Sequence, residues 1–112
     1  MDSLLLGISV DCADVALVAR FWARTLGAEI VGGEPAVVRV GALCLAFRRA
    51  PEGKYVRNRV RLDLMTHDFD LEAARLLSLG AVRLADGLDG DRRRTTFADV
   101  EGNEFDLIDG ET

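Results

Sequence analysis

The sequence has 112 residues, of which 49% are hydrophobic, so it is long enough for one domain with a hydrophobic core. Its formal net charge of −5 disfavours a nucleic-acid partner, because phosphate binding needs a dominant basic surface. The opening residues MDSLLLGISV contain no basic stretch and too short an apolar run for a signal peptide or membrane span, which predicts a cytoplasmic protein with no membrane partner. Cys12 and Cys44 are expected to be reduced, buried packing residues.

The chain begins with a predicted strand followed by a helix. LLLGISVD alternates in polarity, and this alternation places Gly7, Ser9 and Asp11 on one face of the first strand. Asp14 is the expected N-cap of a helix that ends at about Leu26, directly before a glycine. Apolar residues recur along this helix with helical spacing, so its aromatic side chains, including the only tryptophan, are predicted to pack in the core.

Three short strands are predicted next, in the segments AEIVG, AVVRV and LCLAFRR. The polar segment APEGKY then marks an internal boundary, after which the same order of elements starts again. RNRVRLDLM is predicted to be a strand and HDFDLEAARLLSLG a helix capped by Asp68 or Asp70, with His67 near solvent at its start. AVRLAD, RRTTFAD and NEFDLID complete the chain as three further strands.

This restart predicts an internal repeat. LGAEIV and LGAVRL each close a helix that follows a strand, and the alignment makes Gly7 correspond to Arg61 and Asp14 to Asp68. We therefore predict a single α+β domain with two tandem βαβββ modules, at about 3–49 and about 58–109. One module alone leaves a sheet face and an edge uncovered, so we expect one curved eight-stranded mixed sheet with the helices on its convex side.

Several segments carry a family resemblance over nearly the whole chain: VDCAD, ARFWARTLGAEIV, NRVRLDL, LGAVRL and DVEGNEFDL. In this order they resemble the glyoxalase/bleomycin-resistance/extradiol-dioxygenase superfamily, and especially its small bacterial glyoxalase-like domains. The resemblance implies paired βαβββ modules with a cavity on the concave face of the sheet, and a homodimer, since most relatives dimerise. It leaves the activity open, because the superfamily contains isomerases, epimerases, dioxygenases, thiol transferases and non-catalytic drug binders.

In metal-dependent members of this superfamily, the ligands lie on the first and last strands of each module. The resemblance places these positions at Gly7, at Arg61, between Leu45 and Phe47, and at Asp106. Glycine offers no side chain, arginine is a permanent cation, and the third position is apolar, which leaves one carboxylate. A catalytic divalent ion generally needs about three protein donors, so we expect no metal and no other cofactor.

The resemblance also suggests what the remaining carboxylate does. If the modules pair as in the family, Arg61 and Asp106 approach each other where a metal would otherwise lie, and we hypothesise an ion pair, bidentate if the geometry permits. Loss of one partner in a partly dry cavity would cost on the order of 3 kcal/mol. The alternative is an open cavity mouth, where the pair would contribute at most about 1 kcal/mol.

Polar side chains are expected to share one face of the sheet, which a purely structural sheet would make apolar. They are the predicted ligand-binding residues of a hydrated pocket for a small polar or aromatic molecule, namely Ser9, Asp11, Arg59, Arg61, Asp63, Glu104 and Asp106.

Other functions remain open at this stage. In a metal-free enzyme, Asp63 or a carboxylate of the last strand would act as general base and Arg61 would stabilise an oxyanion, although a neighbouring arginine lowers the pKa of a carboxyl group. In a metal-dependent enzyme, Asp106 would bind the ion together with Asp11 or His67. A subunit-interface domain without a ligand is a further alternative, and the sequence assigns no catalytic residue.

Overall fold

The computed structural model describes residues 3–50 and 60–110, which fall into two compact units. The first unit contains β1 (Gly7–Cys12), α1 (Val15–Leu26), β2 (Ile30–Val31), β3 (Ala36–Val40) and β4 (Leu43–Arg49). The second contains β5 (Leu62–Thr66), α2 (Phe69–Ser78), β6 (Val82–Asp89), β7 (Arg92–Ala98) and β8 (Glu104–Asp109). The α+β class and the βαβββ order of both modules are therefore confirmed.

Each unit has its own four-stranded mixed sheet, where the sequence led us to expect one sheet of eight strands. The strand order is β1-β4-β3-β2 in the first unit and β5-β8-β7-β6 in the second. In both, the first strand runs parallel to the last, and the remaining neighbours are antiparallel. The two units therefore share one topology, which allows their residues to be compared position by position.

Both helices begin at an aspartate that the sequence predicted. Asp14 caps α1 and Asp68, rather than Asp70, caps α2, and each side chain accepts a hydrogen bond from the backbone N–H three residues later. Helix α1 ends at Gly27, whose φ of 64° lies in the left-handed region where a glycine is unstrained. No helix in the described part of the chain is long and apolar enough to cross a membrane.

Each unit also buries its own aromatic pair. Phe21 and Trp22 meet edge to face in the first unit, with ring centroids 5.3 Å apart, and both side chains are buried. Phe97 and Phe105 stack in the second, with centroids 5.7 Å apart. The predicted core role of the tryptophan is therefore confirmed. Of the two free cysteines, Cys12 is fully buried as expected, whereas Cys44, on β4, is only partly buried.

Some strand boundaries differ from the prediction. Strand β5 begins at Leu62, so Arg61 lies immediately before it, and the earlier part of the predicted strand lies outside the described residues. Strand β6 extends to Asp89 because its hairpin with β7 continues as far as the turn at Gly90, which has a φ of 66°. Every residue of β6 is exposed, which hid its length from the hydrophobic pattern.

Candidate functional site

The centre of the candidate site is the carboxylate of Asp106, in the middle of β8, which is only 4% exposed. Its Oδ1 atom accepts a hydrogen bond from Thr96 Oγ1 at 2.6 Å and a second from Arg61 Nη2. Its Oδ2 atom accepts a hydrogen bond from Arg94 Nη1. Two guanidinium groups and one hydroxyl therefore occupy both oxygens of this carboxylate.

Strand register brings these residues to one face of the second sheet. Asp106 pairs with Asp63 on β5 and with Thr96 on β7, and side chains of directly paired residues point to the same side. Arg94 lies two residues from Thr96, and Arg61 lies two residues before Asp63, so alternation places both arginines on that side as well.

The turn between β7 and β8 fixes this register. The buried carboxylate of Asp99 accepts hydrogen bonds from the backbone N–H groups of Glu101 and Asn103, both at 2.9 Å, and from the side-chain amide of Asn103 at 3.0 Å. This arrangement closes the DVEGN segment on itself, which sets Thr96 opposite Asp106. Asp99 therefore has a structural role.

Opposing effects act on the pKa of Asp106. Burial would raise it, but the hydrogen bond from Thr96 and the two guanidinium groups lower it by more, so the pKa lies below its ordinary value. For Arg94, burial lowers the pKa, and the contacts with Asp106, Asp63 and Asp89 more than compensate, so the pKa is raised. The carboxylate and the guanidinium therefore hold each other in the charged state.

The two arginines differ in their remaining contacts. Besides Asp106, Arg94 donates from Nη1 to Asp63 Oδ1 at 3.3 Å and from Nη2 to Asp89 Oδ2 at 3.4 Å. Arg61 Nη1 lies 3.9 Å from Glu104 Oε1, which is too long for a hydrogen bond. Arg61 Nε is buried and has no hydrogen-bond partner among the residues that the structure describes. Arg61 therefore keeps unused donors, although both arginine side chains are equally exposed, at 29%.

The ion pair between Arg61 and Asp106 that the sequence predicted is confirmed, with a single nitrogen–oxygen contact in place of a bidentate one. Arg94 and Thr96 also belong to the site, and neither was predicted from the sequence. Their segment, RRRTT, carries an arginine and a threonine on either face of β7, so polarity alone did not show which pair faces the carboxylate. Counting back from the DVEGN turn would have placed Thr96 opposite Asp106.

The other predicted site residues lie in three places. Asp63 and Glu104 share the face of the central carboxylate in the second unit. Ser9 and Asp11 are exposed on β1 in the first unit. Arg59 lies outside the described residues. Contact of any of these side chains with a ligand stays a prediction.

The positions where the resemblance places metal ligands do not fit a divalent ion. Both oxygens of Asp106 already accept hydrogen bonds from side chains. Ala46, at the position of β4 that is equivalent to Asp106 in β8, has no metal-binding group. A Cβ atom at Gly7 would lie 2.3 Å from the carbonyl oxygen of Cys44, so no side chain fits on this backbone. Within residues 3–50 and 60–110, no group of three histidine, cysteine, aspartate or glutamate side chains could hold a metal, and His67 is exposed.

The chain matches a known protein family over most of its length. A sequence profile described as a glyoxalase-like domain matches residues 7–108. Among curated proteins, none matches the sequence.

Several solved structures share the fold at low sequence identity. A glyoxalase/bleomycin resistance protein/dioxygenase family enzyme from Burkholderia phytofirmans superposes with a TM-score of 0.82 at 14% identity, covering 96% of this chain and 98% of that one. A variant of the fosfomycin resistance protein FosX from Listeria monocytogenes, complexed with Mn(II) and dihydroxypropylphosphonic acid, gives 0.80 at 18% identity, covering 100% and 93%. TnmS3, an antibiotic binding protein from Streptomyces sp., gives 0.71 at 23% identity, covering 96% of each chain.

Proposed function

We propose that this chain, which belongs to the glyoxalase-like domain family, binds a small polar or aromatic molecule without a metal ion. The observation that carries the proposal is the engagement of Asp106, whose oxygens accept hydrogen bonds from Arg61, Arg94 and Thr96. A divalent ion would have to displace both guanidinium groups from the carboxylate, and two partly buried cations would then lie beside the bound metal. The site is therefore suited to hydrogen bonding rather than to metal coordination.

The polarity of this sheet face supports a ligand. A face with only a structural role is normally apolar, because burying charged groups costs free energy unless each is paired. Here the guanidinium groups are partly exposed, and the side chain of Asp63 is 56% exposed, so a small molecule can reach the charged groups from solvent. The proposed ligand contacts on this face are Arg61, Asp63 and Glu104.

The relatives support binding without settling its chemistry. The fold is shared with TnmS3, an antibiotic binding protein, and with a FosX variant that was crystallised with Mn(II). Of the positions that the resemblance assigns to metal ligands, Gly7, Arg61 and Ala46 offer no metal-binding side chain. Only Asp106 does, and both of its oxygens already accept hydrogen bonds. We therefore favour a binding protein, and we extend the proposal to a cytoplasmic homodimer, since most relatives dimerise.

A thermal-shift screen tests the proposal on protein purified without chelators. We expect at least one polar or aromatic compound to raise the melting temperature of the unmodified chain and of Arg20→Met, but not of Arg61→Met. Arg20 is the control because it is an exposed arginine on helix α1 and not on this sheet face. A compound present at about 100 times its dissociation constant adds about 2.7 kcal/mol of stability, which such a screen detects readily.

Two results would contradict the proposal. One is that no compound in a broad screen shifts the melting temperature, or that every shift persists in Arg61→Met. The other concerns the metal: elemental analysis showing stoichiometric zinc, nickel, iron or manganese, lost in Asp106→Asn, would establish a metal site in place of the metal-free one.

A further inference from the structure

We propose that Thr96 is a positioning residue of this site, and that it holds the Arg61 guanidinium so that Arg61, rather than Arg94, presents hydrogen-bond donors to the ligand. This inference rests on the function proposed above, because it assigns roles within the same site. Since the unused groups of Arg61 are donors, the ligand carries an oxygen acceptor such as a carbonyl or carboxylate group.

The Thr96 hydroxyl serves two partners at once. It donates to Asp106 Oδ1 at 2.6 Å and accepts from Arg61 Nη2 at 2.9 Å, while the same Nη2 atom also donates to Asp106. These three hydrogen bonds form a closed ring that fixes the plane of the guanidinium. Threonine is branched at Cβ and stiff at χ1, so its hydroxyl is itself held in place.

The two arginines have different capacity for a ligand. Arg94 is committed to three carboxylates through both of its Nη atoms. Arg61 uses Nη2 for Thr96 and Asp106, and its Nη1 has no acceptor within hydrogen-bond distance among the described residues. A ligand oxygen can therefore bind at Nη1 of Arg61 without displacing an existing hydrogen bond.

The equivalent position in the first unit, where the charged groups are absent, has no hydroxyl group. In the second sheet, Asp106 lies between Asp63 on β5 and Thr96 on β7. In the first sheet, Ala46 lies between Ser9 on β1 and Val37 on β3 in the same way. The equivalent positions are therefore Asp63 and Ser9, Asp106 and Ala46, and Thr96 and Val37. Where the carboxylate is replaced by a methyl group, the threonine is replaced by valine, which has the same shape and no hydroxyl. The sheet itself therefore does not require a hydroxyl at this position.

Side-chain NMR of arginine-labelled protein without ligand tests the proposal. We expect Thr96→Val to accelerate rotation of the Arg61 guanidinium by on the order of tenfold, as for the loss of one hydrogen bond to a charged group, and to leave Arg94 restricted. Thr96→Ser should restore the slow rotation. The control is Thr95→Val, since the Thr95 hydroxyl donates to Asp86 and not to Asp106.

Acetate provides the probe for the ligand-facing group. Its titration should shift the Arg61 signals and leave those of Arg94 in place. Unchanged Arg61 rotation in Thr96→Val, release of both arginines together, or equal acetate shifts on both would overturn the proposal. The rotation measurements are made without ligand, so their failure leaves the binding function standing, whereas the failure of that function is a screen in which no compound binds.

Discussion

Replacing Asp106 with asparagine removes one negative charge from between two guanidinium groups with little change in shape. The carboxylate accepts hydrogen bonds from Arg61, Arg94 and Thr96, and a hydrogen bond to a charged group contributes about 1.5–3 kcal/mol. Both arginine side chains are 29% exposed and can recover part of their hydration once released. We therefore expect the free energy of unfolding to fall by about 3 kcal/mol, roughly half of the summed contribution.

Chemical denaturation at pH 7 measures this change, and for a domain of this size it corresponds to a melting temperature lower by about 12 °C. Asp63→Asn is the matched control, because Asp63 is the direct neighbour of Asp106 in the sheet but its side chain is 56% exposed. Among the described residues, its carboxylate forms an ion pair only with Arg94, at 3.3 Å. An exposed pair of this kind contributes at most about 1 kcal/mol. Equal losses in the two variants would show that the buried carboxylate does not hold the site together.

Three further predictions concern pH, backbone approach and core packing. Folding lowers the pKa of Asp106 from about 3.9 in the unfolded chain, so the stabilisation by its carboxylate is complete above that pH and is lost as the pH falls through the folded pKa. The difference in free energy of unfolding between the unmodified chain and Asp106→Asn should therefore be constant from about pH 6 to 8 and shrink below about pH 4. A difference that stays constant in acid denaturation would contradict this. Gly7→Ala should lower the free energy of unfolding, measured in urea, by about 1–3 kcal/mol, because the added Cβ would lie 2.3 Å from a backbone oxygen. Gly33→Ala is the control and should lower it far less, because the space around the added Cβ is open. Similar losses of stability in the two variants would mean that β1 and β4 can separate freely. Phe97→Ala should lower the free energy of unfolding by about 3–5 kcal/mol, because the ring is fully buried. Leu88→Ala, at a residue that is 69% exposed, should change it by no more than about 0.5 kcal/mol. A small loss of stability in Phe97→Ala would mean that Phe97 is not part of the core.

The repeated order of elements could be predicted from the sequence because its signals are local. Asp14 and Asp68 each precede an apolar helical pattern, and an aspartate side chain satisfies the free N–H groups of a first helical turn wherever the helix packs. Alternation along NEFDLID likewise placed Asp106 and Glu104 on one face before any strand partner was known. These features depend on the residues of a single segment.

The composition of the site depended on contacts between segments, and this is why half of it was missed. Arg94 and Thr96 reach Asp106 from β7, whereas their neighbour Arg93 turns to the other face and lies over the ring of Phe69, 4.1 Å from its centroid. Both faces of this strand carry arginine and threonine, so only the register of β7 against β8 decides which pair meets the carboxylate. Arg61 was predicted as a partner because the family resemblance places it, like Asp106, at a position where metal-dependent relatives carry a ligand.

The close approach of β1 to β4 limits how this site could change. An imidazole cannot be introduced at Gly7 by one substitution, because the added carbon would collide with the main chain of Cys44. Both strands would first have to move apart, at the expense of their shared ladder of hydrogen bonds. Engineering a metalloenzyme from this scaffold is therefore a problem of remodelling a strand, and a library of point mutants at that position should yield no gain of metal affinity.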